Sequence, residues 1–316
     1  MTQLDQTMFE RIMEITVFAY QQNAHKKYLW DKDKRLRHYT TDDLEILIAT
    51  MDRETLSFLE TIFSKPVGSI RENVLLINQS KSKTLTSGFK NIRVINDINY
   101  GLSRSRNLAI KESKCDLLWL LDDDCVISKG AVTTIVAAHS EYEAPIITFQ
   151  TTGPDGKLVR NYEAELNSFS RKRVEKVLSP EITLKRSPVL GNELIYDLRF
   201  GLGGQFEDSE NYIFLLDALD KKLEMFFIPE TIVSHNALSS SDDYASNRII
   251  YARGALSRKL KFSTALFDQC KYALFLLRKG QIKNWNDLVK KYRLFGFGME
   301  DYDTGFEGHR NHRPDL

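Results

Sequence analysis

The chain has 316 residues, enough for one large α/β domain with extensions or for two domains. Its 42% hydrophobic and 28% charged residues are the composition of a folded globular protein, which excludes disordered, collagen-like and coiled-coil classes for the bulk of it. The 44 basic and 43 acidic residues leave a net charge of +1, so there is no molecule-wide basic field for nucleic acid.

Three widely spaced cysteines, Cys115, Cys125 and Cys270, make neither a CxxC pair nor a zinc pattern. They predict a reducing, cytoplasmic setting without a disulfide framework. The first twenty-odd residues carry Asp5, Glu10, Arg11 and Glu14, so no cleaved signal peptide is expected. No apolar run approaches the about 20 residues that a spanning helix needs.

Residues 1–43 read as an amphipathic helical extension. Leu44–Thr50, Val74–Ile77, Ile92–Ile95, Asp116–Leu121 and Pro145–Phe149 are short apolar runs. Helical patterns lie between them over Thr55–Phe63, Ser103–Ser113 and Gly130–His139. That alternation predicts a parallel sheet buried on both faces, so residues 44–150 read as an α/β unit. Residues 151–188 read as polar and irregular. A glycine-rich segment, a helix near 209–223 and a strand over Met225–Ile232 follow. Ser239–Asp243 reads as a linker, and 244–295 as helical.

Ligands bind outside the carboxyl ends of strands in such sheets. The residues there are Thr50, Met51 and Asp52; Asn78, Gln79 and Ser80; Asn96 and Asp97; and Asp122, Asp123 and Asp124. Three adjacent carboxylates repel unless a cation or donor satisfies them, and their oxygens suit Mg²⁺ and Mn²⁺. Asp122 and Asp124 share one side of an extended segment and can converge on one ion. The bare run also fits a solvated strand end.

Its neighbours narrow the reading. Gly101-Leu102-Ser103-Arg104-Ser105-Arg106-Asn107, then Leu117–Leu121 and Asp122-Asp123-Asp124, resemble the helix start, strand and D-x-D motif of family 2 glycosyltransferases. Phe200–Asp208, with Gly201, Gly203 and Gly204 before Glu207-Asp208, resembles that family's glycine loop and "ED" motif. Phe227–His235 resembles its late strand with a terminal histidine. Tyr251-Ala252-Arg253-Gly254 resembles a weaker motif of some members. The resemblance spans roughly 44–236. Asn78-Gln79 stand where the family often carries two aspartates, so the resemblance leaves the nucleotide base open.

The resemblance implies a GT-A (Rossmann-like) fold, mostly parallel and flanked by helices. It divides the chain into an extension at 1–43, a nucleotide-sugar-binding half at 44–150, an acceptor-binding and catalytic half at 151–240 and a helical basic region at 241–316. It implies an inverting, metal-dependent transfer from a UDP-linked donor to a glycan or lipid-linked acceptor, of the bacterial polysaccharide or lipopolysaccharide type. Asp122, Asp124 and His235 would take Mn²⁺ or Mg²⁺, with the imidazole favouring Mn²⁺. Thr50, Asp52, Asn78, Gln79, Arg106, Asp122, Asp123, Gly203, Gly204 and Arg253 would meet the donor. Asp208, with Glu207 next in line, would be the general base, although Asp208 also stands where a helix N-cap belongs.

Residues 255–293 hold ten basic residues against two acidic ones, a local charge of +8 interleaved with aromatic and aliphatic residues. Such a segment suits an anionic membrane surface at the inner face of the cell membrane, and a homodimer interface or a packed subdomain is the alternative. No nucleic-acid motif accompanies the charge. A phosphatase of the haloacid dehalogenase type would use Asp122 and Asp124, but its motif follows the first strand, and here three apolar runs come earlier. A non-catalytic carbohydrate-binding protein of the same fold is the other rival.

Overall fold

The computed structural model describes residues 37–162, 167–169, 171–235, 243–261 and 263–305. The expected extension lies almost wholly outside these residues, as does most of the Ser239–Asp243 linker; within 37–43, Thr41–Asp43 form a 3-10 turn. Tyr39–His139 and Ala144–Leu316 group into one compact unit, which is the one described below.

Among the described residues nine strands form one sheet. They are β1 (Leu44–Met51), β2 (Asn73–Gln79), β3 (Ile92–Asp97), β4 (Leu117–Asp122), β5 (Cys125–Ile127), β6 (Ile146–Thr152), β7 (Asn167–Ser168), β8 (Ile182–Lys185) and β9 (Met225–His235). Their order is β3-β2-β1-β4-β8-β6-β9-β5, with β7 on β9. The first four are mutually parallel, and the sense reverses at β8, which is antiparallel to both β4 and β6. Helices α1 (Phe58–Phe63), α2 (Leu102–Glu112), α3 (Ala131–Glu141), α4 (Arg171–Val174), α5 (Arg186–Gly191) and α6 (Glu210–Asp220) alternate with the strands. Then α7 (Asn247–Leu260), α8 (Ala265–Arg278) and α9 (Trp285–Thr304) follow.

The apolar runs form strands because both of their faces are covered. Leu47, Leu75, Ile77, Leu118 and Leu120 join Ala109 and Ile110 of α2 and Phe214 and Leu215 of α6 in one buried cluster. Each such leucine, isoleucine or phenylalanine side chain contributes about 1.5–3 kcal/mol relative to exposure. The exception in β1 is Glu45, 2% exposed, which pairs with Arg93 Nη2 at 2.7 Å and accepts the Lys114 backbone N–H at 2.7 Å. The stretch 151–188, read as irregular, contains β7, α4, β8 and part of α5. Its strand was invisible because Ile-Thr-Leu-Lys is too short to show a period. Neighbours on both sides bury Ile182, Thr183 and Leu184.

His139 of α3 illustrates a buried polar group that stays neutral. Thr183 Oγ1 donates to the Ile147 carbonyl at 2.8 Å, so it accepts from His139 Nε2, also at 2.8 Å. Nδ1 is then a bare lone pair with no partner among the described residues. Burial, seconded by Lys185, pushes the His139 pKa down to about 3. The unfolded chain binds this proton near the ordinary value of about 6.5. Stability is therefore lost as pH falls from that value toward 3, with a slope near 1.4 kcal/mol per unit from this residue. Urea midpoints against pH are expected to show this slope in the wild type and to lose it in His139→Gln.

Candidate active site

The parallel strands β3, β2, β1 and β4 end along one edge. Met51, Gln79 and Asp97 share one row, Thr50, Asn78 and Asn96 the next, and Asp122 pairs with Ala49. The polar residues expected at strand ends are thus brought together, but they do different work.

Asn78 and Gln79 are 0% and 3% exposed. Asn78 accepts the Arg53 N–H at 3.0 Å and donates to the Arg53 carbonyl and to Asn96 Oδ1. Gln79 donates to the Gly101 carbonyl at 3.0 Å and accepts the Gly101 N–H at 3.3 Å. Both amides are engaged by the chain itself and hold the turn after β1 and the start of α2. The group that reaches the rim is Asp52. It is exposed, sits at φ 52°, and accepts Ser80 Oγ at 2.7 Å and Tyr100 Oη at 3.3 Å on Oδ1.

The three aspartates diverge. Asp122 Oδ1 pairs with Arg106 Nη2 at 3.0 Å. Asp123 Oδ2 accepts Thr50 Oγ1 and pairs with Arg53 Nη2 at 3.0 Å. Asp124 points to β9: the antiparallel pairing of Cys125 with His235 sets His235 Nε2 3.2 Å from Asp124 Oδ1. The imidazole hydrogen bond holds the Asp124 carboxyl below its ordinary value, against burial. Cys125 Sγ joins these two within 4.8 Å, and burial first and then Asp122 and Asp124 push its thiol up.

Of the three residues expected to take a metal, Asp124 and His235 lie together. Asp124 and His235 fit a cation: two bonds of about 2.1 Å at right angles place ligand atoms about 3.0 Å apart, close to the separation here. The carboxylate and imidazole pair suits Mn²⁺ better than an all-oxygen site would. Asp122 is not in this cluster, because it faces Arg106.

Arg106 was expected to meet a diphosphate. Its guanidinium is 4% exposed, bonds Asp122 and Glu210 Oε1 at 3.0 and 2.9 Å, and lies over the Tyr196 ring at 5.5 Å. Burial opposes its charge, but Asp122 and Glu210 outweigh burial and push its pKa up. It ties the D-x-D strand to α6, and removing it would leave two carboxylates uncompensated at a cost of about 3–5 kcal/mol.

The glycine segment docks on the start of α2. Leu102 N–H donates to the Leu202 carbonyl at 2.8 Å, and Ser103 Oγ to the Phe200 carbonyl at 2.6 Å. A Cβ on Gly203 would stand 3.1 Å from Gly101 Cα, and its φ is 78°, so the close approach requires glycine. Asp208 emerges from this segment, 8% exposed. It is not the N-cap of α6; that residue is Ser209, with φ 70° and no side-chain cap. Instead Arg253 Nε lies 2.9 Å from Asp208 Oδ2, and Ser209 Oγ donates to the same oxygen at 2.8 Å. Glu207 meets Arg248, which donates to its carbonyl at 3.1 Å. Arg253 thus fixes Asp208, and its Nη1 lies 3.6 Å from Glu175 Oε1. Arg53, Glu210 and Arg248 were missed in the sequence, where nothing but charge marked them.

Residues 68–191 match the model of the family described as Glycosyl transferase family 2. The match contains α2 and the D-x-D strand end and stops short of the glycine loop, Asp208 and His235. No curated protein matches the chain significantly. Solved structures similar to it include residues 1–349 of S. aureus TarS, at 12% identity and TM-score 0.47, covering 83% of this chain and 92% of that one. The same protein in complex with UDP has 14% identity and TM-score 0.47, again over 83% and 92%. Its UDP-GlcNAc complex has 13% identity and TM-score 0.46 over the same shares. With its parallel strands ending at one polar edge, the sheet is GT-A-like, as the sequence motifs implied.

Proposed function

We propose that this protein is an inverting, metal-dependent glycosyltransferase that moves a sugar from a UDP-linked donor to a hydroxyl of a glycan or lipid-linked acceptor. The observation that carries the reading is a continuous polar path inside the family 2 match and just beyond it. Asp124 and His235 lie 3.2 Å apart at one end of it, and Asp122, Arg106 and Glu210 connect that strand end to the segment holding Asp208.

In this proposal Asp124 and His235 hold Mn²⁺ or Mg²⁺, which when bound neutralises the charge that develops on the departing diphosphate. Asp52, steadied by Ser80 and Tyr100, meets the nucleoside, and Thr50 and Asp123 shape the floor beside it. The backbone around Gly203 and Gly204 lets the sugar approach closely. Asp208 receives the acceptor hydroxyl proton as that oxygen bonds to the anomeric carbon. The bond from that carbon to the diphosphate oxygen breaks, and its electron pair leaves with the diphosphate.

Titration calorimetry with UDP, GDP and ADP, with and without Mn²⁺, tests the reading. Wild type is expected to bind UDP in a Mn²⁺-dependent way, and Asp124→Asn to weaken this by at least about tenfold while the fold persists. Equal Mn²⁺-dependent affinity in both proteins would overturn the metal assignment.

A further inference from the structure

We infer that the outer face of α8, with the start of α9, is a docking surface for an anionic lipid bilayer. This rests on surface geometry alone and is independent of the catalytic reading. No helix among the described residues is long and apolar enough to cross a membrane.

The argument starts from the helical period. Ala265, Gln269 and Leu276 of α8 are buried. On the opposite side Leu266, Leu277, Cys270, Leu274 and Phe267 occupy one contiguous arc, because residues advance about 100° each. Leu266, Phe267 and Leu274 are 71%, 63% and 59% exposed, and Trp285 at the start of α9 is 75% exposed. Isolated exposed apolar residues need no explanation, but a stripe of them marks an interaction site.

Charge selects the partner. Lys271 and Arg278 edge the stripe, with the Lys271 ammonium 4.8 Å from the Phe267 ring centroid. Lys279 and Lys283, next along the chain, are exposed, as are Lys290 and Arg293 of α9. The acidic residues of 263–293 are Asp268 and Asp287, both partly buried and both ion-paired to lysines. The face therefore presents apolar side chains edged by cations that outnumber the two carboxylates, with Lys271 alone among the edging pair meeting Asp268, at 4.0 Å. A second copy packing through a twofold axis would set these cations against their own kind. An anionic bilayer surface accepts both: aliphatic side chains enter the boundary, Trp285 sits at headgroup level, and lysine stems extend to the phosphates.

The test uses the full chain with vesicles of phosphatidylcholine alone or with 30% phosphatidylglycerol. Sedimentation is expected with the anionic vesicles only and to weaken with salt. A blue shift of tryptophan emission is expected on those vesicles and not in Trp285→Phe. Each removed cation should weaken binding about fivefold. Lys271→Glu/Arg278→Glu/Lys279→Glu and Phe267→Glu/Leu274→Glu are expected to abolish co-sedimentation while melting like wild type, since all five positions are exposed. No binding at low salt, equal binding to neutral vesicles, or a dimer in solution that Phe267→Glu/Leu274→Glu dissociates would overturn the inference.

Discussion

Asp208→Asn is expected to lower the rate of sugar transfer by about 10²–10⁴-fold while UDP still binds, the range that general-base catalysis contributes. Displacement at the anomeric carbon needs a proton acceptor on the side away from the leaving diphosphate. Asp122 is bound to Arg106, Asp123 to Thr50 and Arg53, and Asp124 to His235, so none of the D-x-D carboxylates is placed for that task. Asp208 stands apart from them, at the end of a glycine segment, with Oδ2 fixed by Arg253 and Ser209. Asparagine keeps the size and an acceptor for Arg253 but takes no proton at neutral pH. Because an ion pair is lost, a modest drop in stability should accompany the loss of rate. Single-turnover measurements at saturating donor separate the two. A rate within a few-fold of wild type would exclude Asp208 and turn attention to Glu207.

Gly254→Ala is expected to cost about 3 kcal/mol or more, at or above the upper end for overpacking. Helices α7 and α9 cross through a glycine on each. A Cβ on Gly254 would lie 2.0 Å from the Phe295 carbonyl oxygen, and one on Gly298 would lie 2.0 Å from that of Tyr251. Backbone atoms cannot rotate away, so the helices must separate. Separation would strain the Tyr251–Asp301 hydrogen bond of 2.5 Å and the Arg258–Asp303 pair of 2.6 Å. It would also move Arg253, the neighbour of Gly254 that orients Asp208. Reduced transfer is therefore expected even at temperatures where the variant stays folded. Urea midpoints measure the stability term, and Gly88→Ala, with nothing within 4 Å of its Cβ, is the control. A loss below about 1 kcal/mol would show that the crossing yields.

Tyr251-x-Arg253-Gly254 shows how far a motif read in one dimension goes. The sequence placed the tetrapeptide on a helix and pointed to a phosphate. In three dimensions the tyrosine anchors α9, the glycine admits it, and the arginine holds a carboxylate. None of these partners is within forty residues of it except by folding.

What the amino-acid order determined by itself was the set of elements whose signal is local. Strands β1, β2 and β4 are largely apolar runs that a doubly covered sheet accommodates, and the polar residues at their ends announced a polar edge. Pairing was what the tertiary structure alone decided. β5 is three residues long, and β8 is four. Both are strands because neighbours far along the chain complete their hydrogen bonds. The β5–β9 register brings His235 to Asp124 and leaves Asp122 to Arg106. The same carboxylate type thus meets an imidazole in one position and a guanidinium two residues earlier. Electrostatic roles depend on distance across the fold, and no spacing along a chain encodes that.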